Sequence, residues 1–299
     1  MIKKLIVSVM IASFMFITSG CSEAPKNIQN KNNKLTVVVS FNAVKEFAEA
    51  VGGNKINIET IIPNGTEPHD YEPKVKDLQT LSSADIFIYN GLNMESWESQ
   101  TIGAVGNRKL TEVDASKGFK PIEVSEGSSS SEYNNYDPHA WLSIKGAEYE
   151  SKSIENALIK KDPKNKYYYE KNYEKFYSEL ESLYNEYNKK FKNVKRKDFV
   201  TGNAAFAYLC RDFGLSQKSV EDVFAEGEPS SRNLKELTDY CKQNNVKTVF
   251  VEDMVSPKVS EALASEVGAK VEKIYTLESK EDNKDYIESM RYNLNVIYK

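Results

Sequence analysis

Alternating strand and helix patterns lie on both sides of one long amphipathic segment, and this alternation limits the fold more than any other feature. A β-branched run at 35–40 is followed by a helical pattern that stops at Gly52 and Gly53. Further strands are predicted at 56–62 and 86–89, with a helix across 75–81 between them. Strands that alternate with helices indicate a mostly parallel sheet, whose ligands bind at the carboxyl ends of the strands.

The segment between the two alternating halves has apolar side chains at helical spacing. They recur mostly every three or four residues, at Tyr169, Tyr173, Phe176, Leu180, Leu183, Tyr184, Tyr187 and Phe191. This pattern predicts one helix of roughly 45 Å, with Asp162 as its N-cap and Pro163 in its first turn. Such a helix is long enough to pass along two lobes. A coiled-coil dimer helix is the alternative, but a tyrosine-rich stripe differs from the Leu/Ile seam of coiled coils.

The alternation of strands and helices restarts after this segment. Strands are predicted at 199–201, 248–251 and 271–274, and helices at 204–213, 233–243, 257–267 and 285–297. The second half therefore repeats the architecture of the first. The sequence predicts an α/β fold in which two lobes with mostly parallel sheets are joined by one long backbone helix. A ligand site is expected in the cleft between the lobes.

The chain contains only two histidines, and each directly follows a proline in a short acidic turn. His69 lies in Glu-Pro-His-Asp, and His139 lies in Asp-Pro-His-Ala-Trp. Because proline fixes its own φ and restricts the residue before it, the two rings are held on defined turns. Neutral imidazole is the commonest protein metal ligand, and a carboxylate such as Asp70 or Asp137 can hold its second nitrogen. Two surface histidines without a special role remain the alternative.

The N-terminal region predicts an exported and anchored protein. Two lysines precede an uncharged apolar run at 5–17, which is too short to span a bilayer, and small residues come before Cys21. We interpret 1–20 as a lipoprotein signal peptide with lipid attached to Cys21, and a plain secreted protein with a free Cys21 as the alternative. Residues 21–34 are polar, which predicts a disordered tether to the outer face of the cell membrane. No later run is long enough for a transmembrane span.

Charge and cysteine content limit the function classes further. Loss of the two signal-peptide lysines leaves 38 of 40 basic residues against 44 acidic ones, a formal charge of −6, and nothing here indicates nucleic acid as a partner. Cys210 and Cys241 lie in segments with helical periodicity, so they could pair in an oxidising exterior or remain buried free thiols. The polar loop at 126–136 has low complexity and contains no histidine.

Five motifs in order give the chain a resemblance to a known family. They are Gly-Thr-Glu-Pro-His-Asp-Tyr-Glu-Pro from Gly65, Asp-Pro-His-Ala-Trp from Asp137, Thr-Gly-Asn-Ala-Ala-Phe-Ala-Tyr-Leu from Thr201, Glu-Pro-Ser from Glu228 and Val-Ser-Pro-Lys from Val255. From about residue 35 onward, the chain resembles the metal-binding lipoproteins of bacterial ABC importers, in particular the zinc type of Gram-positive bacteria. The resemblance implies a monomeric binding protein, not an enzyme, that delivers zinc to the permease subunits of an ABC importer.

The resemblance also implies how the chain is divided and which residues bind the metal. The implied parts are an N-terminal lobe at 35–160, a linking backbone helix at 161–194 and a C-terminal lobe at 195–299. One metal ion would lie between the lobes, with His69 and His139 as ligands from the first lobe. Glu278 matches the carboxylate of a Thr-x-Glu-Ser segment. In relatives whose carboxylate is an aspartate slightly earlier, the corresponding residue of this chain is Tyr275, which favours Glu278. The expected third histidine falls at position 203, where this chain has Asn203.

Asn203 leaves three interpretations of the site open. Two imidazoles and one carboxylate form a recognised zinc set with a position left for water or a weaker group. The amide oxygen of Asn203 is neutral and hard, so it suits Mn²⁺ or Ca²⁺ better than zinc. The site could therefore be a weakened zinc site, a site altered toward a harder metal such as Mn²⁺, or a site without physiological binding.

Two other functions compete with zinc capture. A secreted metallohydrolase could use two histidines and a glutamate, but it needs a general base, and the chain has no His-Glu-x-x-His pair. A surface adhesin would share the anchor and the fold.

We expect Trp141 to pack beneath His139. We interpret four carboxylates of the second half as solvated loop charges or helix-terminus support: Glu226, Glu228, Glu252 and Asp253.

Overall fold

The first sheet consists of four parallel strands in the order β2-β1-β3-β4. The computed structural model describes residues 34–124, 136–195, 197–223, 231–253 and 256–299. The strands are β1 (Leu35–Val39), β2 (Ile56–Thr60), β3 (Ile86–Tyr89) and β4 (Thr111–Asp114). Val37 of β1 lies opposite Ile58 of β2 and Ile86 of β3. Three consecutive valines of β1 are fully buried, as expected for a parallel strand with helices on both faces.

Four helices accompany this sheet: α1 (Asn42–Gly52), α2 (Val75–Ser82), α3 (Glu98–Val105) and α4 (Ile144–Lys161). We call this sheet and these helices the first lobe. Helix α1 ends where Gly53 adopts a φ of +48°, a conformation that glycine accepts without a Cβ clash. The predicted β1, β2, β3, α1 and α2 are confirmed. The sequence did not predict β4, because only Val113 of this edge strand is buried and no apolar run results.

Helix α5 (Lys166–Lys192) is the long helix, with 27 residues and a length of about 40 Å at 1.5 Å per residue. Its buried face follows the predicted stripe, at Tyr169, Tyr173, Phe176, Leu180, Leu183, Tyr187 and Phe191. The predicted N-cap is wrong. A 3-10 turn at Pro163–Asn165 precedes α5, and the Asp162 carboxylate accepts hydrogen bonds from Asn165 Nδ2 and Tyr169 OH at 2.6 and 2.9 Å. Asp162 therefore holds the junction between α4 and α5.

The second sheet repeats the arrangement, with four parallel strands in the order β6-β5-β7-β8. Its strands are β5 (Asp198–Thr201), β6 (Ser216–Ser219), β7 (Thr248–Val251) and β8 (Lys270–Lys273). The helices of this half are α6 (Ala207–Phe213), α7 (Ser231–Gln243), α8 (Lys258–Val267) and α9 (Tyr286–Tyr298), and we call this part the second lobe. Strand β6 was not predicted, because Ser-Gln-Lys-Ser has no apolar side chain and only pairing with β5 defines it.

Helix α5 packs against α1 and α4 of the first lobe and against α6 and α9 of the second. One apolar cluster continues across this junction and includes Phe41, Leu180, Phe199 and Phe250. A smaller cluster around Val200, Val249 and Leu263 fills the other face of the second sheet, because successive strand residues point to opposite faces. Two parallel sheets and a long helix thus confirm the predicted α/β class.

Cys210 and Cys241 are free and buried, so the thiol alternative is confirmed. Burial raises the pKa of Cys210 to about 12, which makes its thiol unreactive at neutral pH. None of the helices in the described ranges combines the length and apolar character needed to cross a membrane. Several predictions lie outside the described residues: the signal peptide, Cys21, the tether up to residue 33, most of the 126–136 loop, Glu226 and Glu228.

Candidate metal centre

The two histidines meet although 70 positions separate them in the sequence. The Nε2 atoms of His69 and His139 are 3.3 Å apart, with ring centroids at 5.3 Å. His69 lies in the loop that leaves β2 at the carboxyl edge of the first sheet, and His139 precedes a 3-10 turn at Ala140–Leu142. Two imidazole nitrogens bound to one tetrahedral zinc at ~2.0–2.1 Å would lie about 3.3–3.4 Å apart. The observed spacing therefore fits two ligands of a single zinc ion.

His139 is fully buried and held by its neighbours. Asp137 Oδ1 lies 2.8 Å from His139 Nδ1 and also accepts a hydrogen bond from the His139 main-chain N–H at 2.8 Å. The predicted partnership with Asp137 is confirmed. This contact favours the proton on Nδ1 and leaves the Nε2 lone pair free to bind a metal. The Trp141 ring packs against the His139 ring at a centroid distance of 5.0 Å, as expected.

His69 is partly buried. Burial, and then the nearby His139, lowers the pKa of His69 to about 3. The ring is therefore neutral at physiological pH and needs no deprotonation before it binds a metal. A surface cavity of about 640 Å³ reaches this ring and is also lined by Tyr71 and Trp97. This cavity connects one side of His69 with solvent.

Glu278 lies in the loop after β8 and is buried, with 4% of its surface exposed. Thr276 Oγ1 donates a hydrogen bond to Glu278 Oε2 at 2.8 Å. Burial raises the pKa of Glu278 well above its usual range, and the charges of Glu67 and Glu252 add to this effect. A carboxyl in this position gains strongly from a nearby cation, because a cation favours its charged form.

Asn203 follows β5 at the carboxyl edge of the second sheet and is also buried. Its main-chain N–H donates to Glu252 Oε1 at 3.0 Å, and its carbonyl oxygen accepts from Gln217 Nε2 at 2.7 Å. Its side-chain Oδ1 has no hydrogen-bond partner. A buried acceptor without a donor is costly, so this oxygen is suited to meet water or a cation.

Of the four candidate ligands, His69 and His139 are in direct contact. Across the described ranges, no three His, Cys, Asp or Glu side chains are close enough together to hold a metal ion. Two acidic residues, Glu67 and Glu252, each interact with more than one member or neighbour of this set. The charge of Glu67 acts on both His139 and Glu278, and Glu252 bonds to Asn203 while its charge acts on Glu278. The ligand set of His69, His139, Glu278 and Asn203 stays a prediction.

Two acidic residues of this region were not assigned to the site from the sequence. The interpretation of Glu252 as a solvated loop charge is wrong, because it is buried behind Asn203 with a pKa raised by burial to about 8. Asp253, by contrast, is exposed and pairs with Lys273 at 2.6 Å. Glu67 is half buried and accepts a hydrogen bond from the His69 main-chain N–H at 3.4 Å. The position of Glu252 directly after β7 was the signal, since carboxyl ends of parallel strands form sites.

Comparisons with known proteins find similarity to zinc-uptake proteins along almost all of the described chain. The family model described as zinc-uptake complex component A, periplasmic, matches residues 37–299. The high-affinity zinc uptake system protein ZnuA of Bacillus subtilis is 36% identical over 302 residues, which cover 97% of this chain and 95% of that protein. The match therefore includes both sheets and the long helix.

Solved structures give the same result for the fold. The laminin-binding protein Lmb of Streptococcus agalactiae, described as bifunctional with adhesin and metal transporting activity, is 36% identical with a TM-score of 0.81. The metal-dependent lipoprotein YcdH from Bacillus subtilis is 36% identical with a TM-score of 0.76. Each similarity covers 89% of this chain and 98% of the other chain.

Proposed function

Because the chain belongs to the family of the periplasmic zinc-uptake complex component A, we propose that it captures one zinc ion through His69, His139 and Glu278. It is a zinc-binding component of a zinc uptake system outside the cytoplasm and not an enzyme. The zinc ion is its cargo. In the proposed site, zinc lies in the cleft between the two lobes, and Asn203 occupies the position of a fourth ligand.

The distance of 3.3 Å between the two Nε2 atoms carries this proposal. Two imidazoles at the spacing of a tetrahedral zinc site, with one of them oriented by Asp137, supply half of a zinc coordination shell. The buried carboxyl of Glu278 supplies charge for the ion. With these three ligands the fourth position is left to Asn203 Oδ1 or to water, so we infer a weakened zinc site.

Stoichiometric zinc binding tests the proposal. We expect the purified protein to bind one zinc ion per chain and to bind Mn²⁺ more weakly, because two imidazole ligands favour zinc over Mn²⁺. Metal content after dialysis and titration against a competing chelator measure both. Peptide and ester hydrolysis should stay at background with zinc bound. Tighter binding of Mn²⁺ than of zinc would support the altered site, and no stoichiometric binding of either metal would reject the proposed function.

Delivery from a membrane anchor is the second part of the proposal. We propose that the signal peptide at 1–20 is removed, that Cys21 carries lipid, and that the tether up to residue 34 holds the protein at the outer face of the membrane. From there it would hand zinc to the permease of an ABC importer as a monomer. The description of the related YcdH as a lipoprotein supports this assignment. The division into lobes at 35–160 and 195–299 with a linking helix at 161–194 belongs to the same proposal.

Replacement of Cys21 tests the anchor. Cys21→Ala is expected to release the protein into the medium or to block its processing, because the sulfur that would receive the lipid is absent. Fractionation of cells into membrane and medium, followed by mass measurement of the mature chain, gives the result. Cys210→Ala is the matched control, since this buried thiol lies in α6 and should leave the protein in the membrane fraction. A processed Cys21→Ala protein that stays with the membrane would contradict the anchor.

Adhesion is a second candidate function, and the similarity to Lmb favours it. That protein is described as having both adhesin and metal transporting activity. Growth in chelated medium and retention on immobilised laminin separate the two functions. Normal growth of a deletion strain in chelated medium, together with laminin binding by the purified protein, would favour adhesion over zinc capture.

A further inference from the structure

The loop that carries Glu278 belongs to the second lobe by sequence but hydrogen-bonds to the first. We call residues 276–280 the Glu278 segment. Trp141 Nε1 donates to the carbonyl of Thr276 at 2.8 Å. Asn42 donates twice, from Nδ2 to the Leu277 carbonyl and from its main-chain N–H to the Glu278 carbonyl, each at 3.3 Å. The segment is therefore attached to the start of α1 and to the turn after His139.

The Glu278 segment is also linked to the loop that carries His69. The Gly65 main-chain N–H donates to Ser279 Oγ at 2.8 Å, and the Lys280 main-chain N–H donates to Asn64 Oδ1 at 3.2 Å. Lys280 additionally forms an ion pair with Glu46 of α1 at 3.4 Å. Because Trp141 lies two residues after His139, the Glu278 segment is hydrogen-bonded to both histidine loops. The loops that carry His69, His139 and Glu278 are thus joined to one another by hydrogen bonds, whereas Asn203 follows β5 of the second sheet.

The backbone within the segment needs this support. Leu277 has a φ of +59°, in the left-handed region that a branched side chain rarely adopts. Its carbonyl accepts from Asn42 Nδ2, and its N–H donates to Glu281 Oε1 at 3.2 Å. The residue next to Glu278 is therefore held in an unfavourable conformation by side chains on both sides.

We propose that Asn42 is a positioning residue that aims the Glu278 carboxylate at zinc, so that the first lobe and the Glu278 segment hold the ion together. This inference rests on the proposed zinc capture. Asn42 is buried with 6% of its surface exposed, and it supplies two donors to consecutive carbonyls of the segment. The second lobe would then contribute only position 203, and its movement would disturb one of the four ligand positions.

Asn42→Asp removes the side-chain donor while the shape of the side chain is kept. A carboxylate oxygen would face the Leu277 carbonyl, and the two acceptors would repel each other. Asn42 is the first residue of α1, where an acidic side chain is favourable to the helix, so we expect the variant to fold. Zinc affinity should fall about 10–100-fold, the usual cost of losing a residue that orients a ligand.

A double-mutant cycle with Glu278→Ala separates positioning from a general structural effect. If Asn42 acts through Glu278, Asn42→Asp should change zinc affinity less than about 2-fold when Glu278 is already Ala. Asn107→Asp is the matched control. Asn107 Nδ2 likewise donates to main-chain carbonyls, those of Leu81 and Ala84, between the end of α2 and the start of β3. This control should leave zinc affinity unchanged. Competitive chelator titration of the full set, with circular dichroism of each variant, gives all the values.

The possible outcomes test the positioning role of Asn42, the role of Glu278 as a ligand and zinc capture separately. The positioning role is overturned if Asn42→Asp lowers zinc affinity equally in the unmodified protein and in Glu278→Ala, or if it causes no loss at all. Zinc capture stands in either case. Unchanged affinity in Glu278→Ala alone overturns both the ligand and its positioning residue. If Asn42→Asp does not fold, Ser279→Ala replaces it in the cycle with an expected loss of about 2–10-fold, because it removes one hydrogen bond of the segment. The absence of zinc binding by the unmodified protein would reject the proposed function itself.

Discussion

Asn203→His is expected to tighten zinc binding by at least about 100-fold, taking as a floor the largest usual effect of an outer-shell partner. An imidazole nitrogen at ~2.0–2.1 Å would complete a tetrahedral set with His69, His139 and Glu278. A neutral amide oxygen or a water is a weaker zinc donor than imidazole. Titration against a competing chelator measures the change. The rise in melting temperature on addition of zinc should also increase, because stabilisation grows with the ratio of free metal to Kd.

The surroundings of position 203 make this substitution a clean test. Asn203 Oδ1 has no hydrogen-bond partner, so its replacement breaks no bond to this atom, and the bonds to Glu252 and Gln217 use main-chain atoms that any residue provides. Asn203→Ala is the control. It should weaken zinc binding if the amide oxygen is a ligand and leave the affinity unchanged if water takes that place. Equal zinc affinity of Asn203→His and the unmodified protein would mean that position 203 does not reach the metal.

Local sequence was enough to predict the contact of His139 with Asp137. Each histidine follows a proline, which fixes its turn, and Asp137 is close enough in sequence to reach the His139 ring. The first strands were found because their apolar side chains are contiguous, as buried parallel strands require. These features depend on neighbours within a few residues.

The remaining features depend on contacts between distant residues. Strand β6 has no apolar side chain and exists through its pairing with β5. Glu252 looks like a loop carboxylate until β7 places it behind Asn203. The attachment of the Glu278 segment to Asn42 joins positions 235 residues apart, and no local pattern reports such a contact.

The charge balance of the centre also became visible only in three dimensions. Burial raises the pKa values of Glu67 and Glu278, and that of Glu252 to about 8. A carboxyl with a raised pKa holds its proton to higher pH than an ordinary one, because its charged form is poorly solvated. A dication placed among them would favour the charged forms, so zinc binding should release protons. The buried carboxyls thus favour the binding of a cation in this region, because the cation stabilises their charged forms.

His139→Ala is expected to reduce zinc affinity by at least about 100-fold, because it removes one of the two imidazoles whose nitrogens are 3.3 Å apart. The protein without zinc should also lose stability. His139 is fully buried, and the loss of its ring hydrogen bond to Asp137 costs about 1–3 kcal/mol, while the main-chain N–H of residue 139 still donates to Asp137. Melting curves with and without zinc separate the two effects: the curve without zinc should shift down, and the further shift caused by zinc should be lost.

Asp137→Asn provides the graded control for this result. It keeps an acceptor near His139 Nδ1 but removes the charge that orients and polarises the ring, so zinc affinity should fall about 10–100-fold, less than in His139→Ala. This order follows because Asp137 acts through His139, whereas His139 itself would contact the metal. A His139→Ala protein that folds and binds zinc as tightly as the unmodified chain would remove His139 from the site. An effect of Asp137→Asn larger than that of His139→Ala would instead make the carboxylate the ligand and the imidazole its support.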